Sequence, residues 1–171
     1  AGFNLGARRI TLSTVGIVPG IRRLARERSA VGLAISLHAP TNELRDRLVP
    51  INRRYPLETL IRASHEYVER TGRRVTFEYA MIDGTNDSLA QADQLSDLLH
   101  GLLSHVNLIS LNPVPESPHR PSPHGRMMAF EQRLRERGVN ATLRISRGAD
   151  IRAGCGQLRS APRECETIVN A

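Results

Sequence analysis

The chain has no lysine and no tryptophan, and only two cysteines, Cys155 and Cys165, in 171 residues. Two thiols are too few for a disulfide scaffold or a cysteine-only metal site. Aromatic residues make up only 4% of the chain, which disfavours a stacking platform for single-stranded bases. Nowhere do the ~20 apolar residues of a membrane span run together, and no basic-then-apolar leader opens the sequence. A secreted or membrane-embedded protein is not expected. What remains, 40% hydrophobic and 24% charged, is the composition of a globular domain. The length fits one domain or a large piece of one.

All 24 basic residues are arginine, and the net charge is +7. The charge is uneven. Residues 1–28 carry net +5, residues 29–117 net −3, and residues 118–163 net +7. Base composition of the genome explains arginine in place of lysine, but not this clustering. Two basic ends around an acidic middle imply a polyanion-facing surface if the ends meet in the fold.

Five runs read as strands: Arg9–Ser13, Gly32–Leu37, Val75–Ala80, Val106–Leu111 and Ala141–Ile145. Those around Ile35 and Leu108 are nearly continuous in apolar residues, as strands buried on both faces are. Helical spacing fills the gaps. Leu57–Arg70 carries one stripe. Ser88-Leu-Ala-Gln91 is a capping box ahead of Leu95, Leu98, Leu99, Leu102 and Leu103. Met127, Phe130 and Leu134 form a third stripe, ended by Gly138. Shorter helices are expected over Gly20–Arg28 and Asn42–Leu48. Strands alternating with helices imply a parallel sheet with right-handed crossovers. The one long irregular stretch, Pro113–Gly125, holds five prolines and two histidines. Loops of that length are functional or mobile as a rule.

In parallel α/β folds, ligands bind beyond the carboxyl ends of the strands. Reading those ends gives Ser13 and Thr14, then Ser36-Leu-His38, then Asn112, then the run from Arg144 to Gln157. Taken singly, most have ordinary structural readings: Ser13 and Thr14 as caps, His38 as a satisfied structural histidine, Asn112 as a turn residue. Cys155 is harder to dismiss. Gly154 and Gly156 flank it, and Arg147 and Arg152 lie near in sequence, conditions that favour an exposed thiolate nucleophile. Cys165 sits between Glu164 and Glu166, whose charges blunt a thiol. His119 and His124 have no cysteine or carboxylate at ligand spacing, so no metal ligand is assigned. His65 and His100 are expected at the surface. Glu78, inside a strand, either pairs with an arginine or points into a ligand cavity.

Several segments, taken together and in order, resemble one family. They are Ile10–Pro19, Leu33–Pro40, Arg45 with Val49–Pro56, Phe77–Met81, Asn86–Ser88, Val106–Pro113 and Arg147–Leu158. They are similar to the radical S-adenosylmethionine RNA methyltransferases that methylate carbon 2 of an adenine in large-subunit ribosomal RNA and some tRNAs. The resemblance runs from about Asn4 to Leu158.

The resemblance implies an α/β fold, a partial parallel (β/α) barrel of the radical-SAM type with about five strands here. Residues 1–171 would be the carboxyl-terminal part of that core domain. Ser13, Ser36, Leu37, His38 and Asn112 match residues that bind S-adenosylmethionine. Cys155 matches the cysteine that is itself methylated. In the family that thiolate takes a methyl by displacement, and a radical made at a [4Fe-4S] cluster then activates the methyl for addition to the base. Carbon 2 of adenine is electrophilic, which explains the detour through a radical. The family's C-x-x-x-C-x-x-C cluster loop, its glycine-glutamate cofactor motif and its second, resolving cysteine have no counterpart in the matching region and are expected upstream of it. Cys165 lies on the wrong side of Cys155 to be that resolving cysteine. The implied partners are 23S rRNA, tRNA and an electron donor such as a flavodoxin, in a bacterial cytoplasm, with no membrane. The alternatives are the antibiotic-resistance relative that methylates carbon 8 of the same adenine, and a non-catalytic RNA-binding α/β domain.

Overall fold

The structure, a computed structural model, describes residues 6–27, 30–112 and 117–144. Cys155, Cys165, Arg147 and Arg152 lie outside these. A short 3-10 turn, Ala7–Arg9, leads into the first unit. The elements then run β1 (Thr11–Thr14), α1 (Val18–Arg26), β2 (Gly32–Ser36), α2 (Asn42–Leu48), α3 (Leu57–Thr71), β3 (Val75–Met81), α4 (Leu89–Leu98), β4 (Ser104–Ser110), α5 (His124–Glu136) and β5 (Ala141–Arg144). A second 3-10 turn, Pro50–Arg53, links α2 to α3. The five strands form one sheet in the order β1-β2-β3-β4-β5, and every pairing is parallel. Sequential order with right-handed crossovers puts successive helices on one side of the sheet, as in a partial barrel.

Local chemistry sets the ends of the helices. Thr41 Oγ1 accepts from the Leu44 amide to cap α2. The expected capping box of Ser88 and Gln91 opens α4. Gly72, at φ +65°, ends α3 in the left-handed conformation. Helix α4 stops at Leu98, short of the stripe's end. Gly101 turns the chain at φ +73°, Leu102 is buried from that turn, and Leu103 is exposed. Helix α5 begins at His124, so the irregular stretch is two residues shorter than expected.

A single core fills the space between helices and sheet. On β3, Val75, Phe77, Tyr79 and Met81 are fully buried, while Thr76, Glu78 and Ala80 on the opposite face are half-exposed. Leu33 and Ile35 of β2 and Val106 and Leu108 of β4 continue the buried face in register. The helices answer with Ile21, Leu60, Leu95 and Phe130. Burial of this kind contributes about 1.5–3 kcal/mol per large side chain. The Phe130 ring lies 5.5 Å from that of Tyr79. The other face of the sheet is polar. Its rows run Ser13, Ala34, Thr76, His105 and, one step nearer the carboxyl ends, Ser36, Glu78, Asn107, Thr142. No helix of the described residues is long and apolar enough to cross a membrane.

The two basic ends do not form one surface among the described residues. Arg8, Arg9 and the arginines of α1 belong to the β1 edge, and those of α5 to the opposite, β5 edge. Acids also offset much of the α5 charge. Arg126 pairs with Asp83 and Asp87, Arg133 with Asp93, Arg135 with Glu131, and Arg137 with Asp97.

Candidate functional site

A cavity of about 350 Å³ opens at the carboxyl ends of β1 and β2. Val15, Ser36, His38, Leu48, Val49 and Ile51 line it, with Pro50. Apolar walls with a few placed polar groups are the usual make-up of a small-ligand site. A second cavity, of about 380 Å³, lies at the opposite end of the sheet, among Ser96, His100, Ser104, Arg137 and Asn140. It is slightly larger, but it faces away from the end where parallel sheets do their chemistry.

Ser36 is the last residue of β2, and His38 follows it at φ +60°, the one described residue other than glycine with positive φ. Such a conformation costs of order 1–3 kcal/mol and persists only where the surroundings hold it. Here they do. The Ala80 amide donates to His38 Nδ1 at 3.0 Å, and Asn86 Nδ2 donates to the His38 carbonyl at 2.8 Å. Since Nδ1 accepts, the imidazole proton sits on Nε2. Burial, and then the charge of Arg45, lower the His38 pKa from 6.5 to about 4. The ring is neutral at physiological pH.

Two buried polar side chains hold this corner from behind. Arg45, on α2, is 0% exposed. Its Nε donates to the Leu37 carbonyl at 3.1 Å, and its Nη2 to the carbonyls of Val15 at 2.8 Å and Ser36 at 3.1 Å. Its Nη1 donates to Asn52 Oδ1, and Asn52 in turn donates to Asp46 and Asn42. Burial depresses even this guanidinium, from 12.5 to about 10, while Asp46 partly offsets the fall. Asn86, also fully buried, donates to the carbonyls of His38 and Ala80 and accepts from the Ile82 amide. The Tyr79 hydroxyl fixes it by donating to the Asn86 carbonyl.

The residues proposed from sequence fall in different places. Ser36 and His38 share the cavity wall. Ser13 lies on the open face of β1, exposed, one strand from Ala34. Asn112 follows β4 at the same end of the sheet, two strands across from Ser36. Leu37 turns its side chain into the helix-side core, fully buried. Its amide donates to the Glu78 carbonyl and its own carbonyl takes Arg45, which fixes the backbone between Ser36 and His38. Thr14 is a capping residue, its Oγ1 accepting from the Gly16 and Ile17 amides. Among the described residues Glu78 pairs with no arginine. It accepts from Asn107 on the open face. The roles of Arg45, Asn52 and Asn86 were not legible beforehand, although each lies in a segment that resembles the family.

Among the described residues, a one-sided parallel sheet with an open polar face and a ligand-sized cavity at its carboxyl ends makes a partial α/β barrel. No family model matches the chain. A probable dual-specificity RNA methyltransferase RlmN from Desulforudis audaxviator is 62% identical over 159 residues, 92% of this chain and 50% of that protein. A radical SAM methyltransferase from Sphaerobacter thermophilus is 61% identical with a TM-score of 0.89, over 91% of this chain and 46% of that one. A domain of a pyruvate-formate lyase-activating enzyme from Bacteroides vulgatus shares the fold alone, at 13% identity and a TM-score of 0.60 over 78% of this chain and 80% of that one. Over more than nine-tenths of its length the chain is similar to radical SAM RNA methyltransferases of the RlmN kind. It spans about half the length of the relatives it matches.

Proposed function

We propose that this chain is the carboxyl-terminal part of the core domain of a radical-SAM enzyme that methylates carbon 2 of adenine in 23S rRNA and tRNA, with Cys155 as the methyl carrier. The observation that carries it is the Ser36–His38 corner beside the cavity, in a chain so closely similar to RNA methyltransferases. The cavity suits S-adenosylmethionine. Val15, Leu48, Val49 and Ile51 offer apolar wall to a nucleoside and its sulfur. Neutral His38 adds no positive charge to oppose a sulfonium, and its Nε2 proton is a donor. Ser36 adds a hydroxyl, and Ser13 and Asn112 supply further polar groups from β1 and the end of β4. The residues do not fit a [4Fe-4S] cluster, which takes three or four thiolates, whereas this chain has two cysteines. In the complete enzyme other residues would hold the cluster, and a flavodoxin-like donor in a bacterial cytoplasm would supply its electrons.

When bound, S-adenosylmethionine supplies both the methyl group and the radical that activates it. Cys155 would attack the methyl as a thiolate, forming the new sulfur–carbon bond as the sulfonium–methyl bond breaks and S-adenosylhomocysteine leaves, and would then carry the methyl as a thioether toward the base. The flanking Gly154 and Gly156 put no side-chain bulk beside the thiol. Arg147 and Arg152 favour the thiolate and hold RNA phosphates.

The test is Cys155→Ala and Cys165→Ala in the complete enzyme, with deoxyadenosine release and RNA methylation followed separately. Cys155→Ala should abolish methylation and leave deoxyadenosine release measurable. Cys165→Ala should be nearly silent. Full methylation by the Cys155→Ala enzyme would end the carrier role, and a product methylated at carbon 8 would overturn the regiochemistry.

A further inference from the structure

Glu78 is the one acid on the open face of the described sheet, and the reading above gives it no role. It lies mid-strand on β3, half-exposed, where a charge needs a reason. The usual reason is an ion pair, and none is present among the described residues: no described arginine nitrogen comes within 4.0 Å of its carboxylate. Its partner is neutral. Asn107 Nδ2 donates to Glu78 Oε1 at 2.8 Å, from an asparagine only 5% exposed. Among the described residues Oε2 accepts nothing. A buried amide thus orients a carboxylate without neutralising it.

Asn107 holds one carboxylate oxygen on the β4 side, and the register places Glu78 beside the cavity strand on the other, although Glu78 does not itself line the cavity. Glu78 is the direct partner of Ser36 on β2, and Ser36 lines the cavity. Neighbouring strands stand about 4.8 Å apart, so a ligand resting on the inner side of Ser36 is within reach of Oε2. An ionised carboxylate only accepts. It selects donors and repels phosphate. An adenosine offers such donors in its ribose hydroxyls and its exocyclic amine, and an acidic residue on ribose hydroxyls is a recurrent arrangement. We propose that Glu78, aimed by Asn107, is a further ligand-binding residue of this site and accepts hydrogen bonds from an adenosine. This rests on the function proposed above. That reaction involves two adenosines, one in the cofactor and one in the RNA target.

The experiment uses the complete enzyme and two probes. S-adenosylhomocysteine binding, measured by calorimetry, reads the cofactor's adenosine. The KM for a ribosomal RNA hairpin reads the target's. Glu78→Gln keeps shape and the contact to Asn107 while removing the charge. It should weaken one of the two by roughly tenfold or more, the usual effect of losing a charge-assisted hydrogen bond. Asn107→Ala should give a smaller loss in the same probe, because the carboxylate stays but loses its aim. Glu78→Asp, which keeps the charge on a shorter stem, guards against a variant that fails to fold and should lose several-fold in that probe. A loss in S-adenosylhomocysteine binding assigns the cofactor's adenosine. A rise in RNA KM alone assigns the target's. Wild-type values for both probes in Glu78→Gln would overturn the proposal and leave the site reading intact. A wild-type enzyme that binds no S-adenosylhomocysteine would instead overturn the cofactor site on which the proposal rests.

Discussion

Replacing Arg45 tests how the site is held together. The side chain is 0% exposed and supplies three backbone carbonyls, of Val15, Ser36 and Leu37, with their hydrogen bonds. Arg45→Ala leaves those carbonyls facing an unfilled space. An orphaned buried acceptor costs about 1–3 kcal/mol; the Leu37 bond is buried and the other two partly so, so three cost at most roughly 6 kcal/mol. One term opposes this. Burying the guanidinium is itself unfavourable, and the fall in its pKa from 12.5 to about 10 corresponds to roughly 3 kcal/mol. The variant recovers that amount, so the net loss from the carbonyls is at most about 3 kcal/mol, with a cavity term to add. For a chain of this size that lowers the unfolding midpoint by roughly 6–12 °C. Arg45→Met separates packing from hydrogen bonding, because it refills apolar volume but donates nothing. It should recover the cavity term alone. Arg45→Lys keeps the charge but not the fork, and should regain at most one of the three bonds. Thermal unfolding of the 171-residue chain by circular dichroism reads all three variants. If Arg45→Met unfolds within about 2 °C of the unaltered chain, the carbonyl network contributes nothing and the reasoning fails.

Two further outcomes follow from the same corner. The unfolded chain protonates His38 near 6.5 and the native chain only near 4, so the stability from neutral His38 is complete above pH 6.5 and drains away as pH falls toward 4. By pH 4.5 the loss is about 2 kcal/mol. His38→Gln should flatten urea midpoints between pH 7 and pH 4.5, and an unchanged slope would refute the assignment. Gly16 sits at φ +104°, and a Cβ there would meet Arg45 Nη2 at 3.2 Å and both Leu60 methyls at 3.3 Å. Gly16→Ala should destabilise by about 1–3 kcal/mol, and an unchanged urea midpoint would show that the Arg45 corner tolerates displacement.

The order of the sheet was legible because alternating strand and helix signals permit few connections. Strand ends were less so, for a reason visible in β4. The expected strand began at the first apolar residue, Val106, but Ser104 and His105 already pair with β3. His105 belongs to the open face, where polar residues are the rule, so apolar runs mark only the helix-side half of such a strand. Helix α1 likewise begins at Val18 rather than Gly20, because Pro19 is tolerated in a first turn. The charge clusters misled for a different reason. A sum over residues cannot know that Asp93 and Asp97 on α4 face the arginines of α5. Arg45 was the hardest to see. In Asn42-Glu-Leu-Arg-Asp-Arg-Leu48 it looks no different from Arg47, yet Arg47 is exposed and Arg45 is buried. Only the convergence of carbonyls from the ends of β1 and β2 distinguishes them.

That convergence explains why the cavity exists at all. Where a parallel sheet ends, its last carbonyls lose their partners, and a buried carbonyl must find one. Capping them from the ligand side would fill the site. Here the donors come from behind instead. Arg45 takes the carbonyls of Val15, Ser36 and Leu37, and Asn86 takes those of His38 and Ala80. Five backbone acceptors are satisfied by two side chains that have no exposed surface. The side chains of Ser36 and His38 are then relieved of structural duty on the cavity side. His38 still gives one nitrogen to Ala80, but its protonated Nε2 has no partner among the described residues. The same division holds along the row of Ser36, where buried Asn107 supports Glu78 and leaves one carboxylate oxygen open among the described residues. In each case a buried amide or guanidinium fixes the backbone or the geometry, and a half-exposed group beside it keeps a free valence for a ligand.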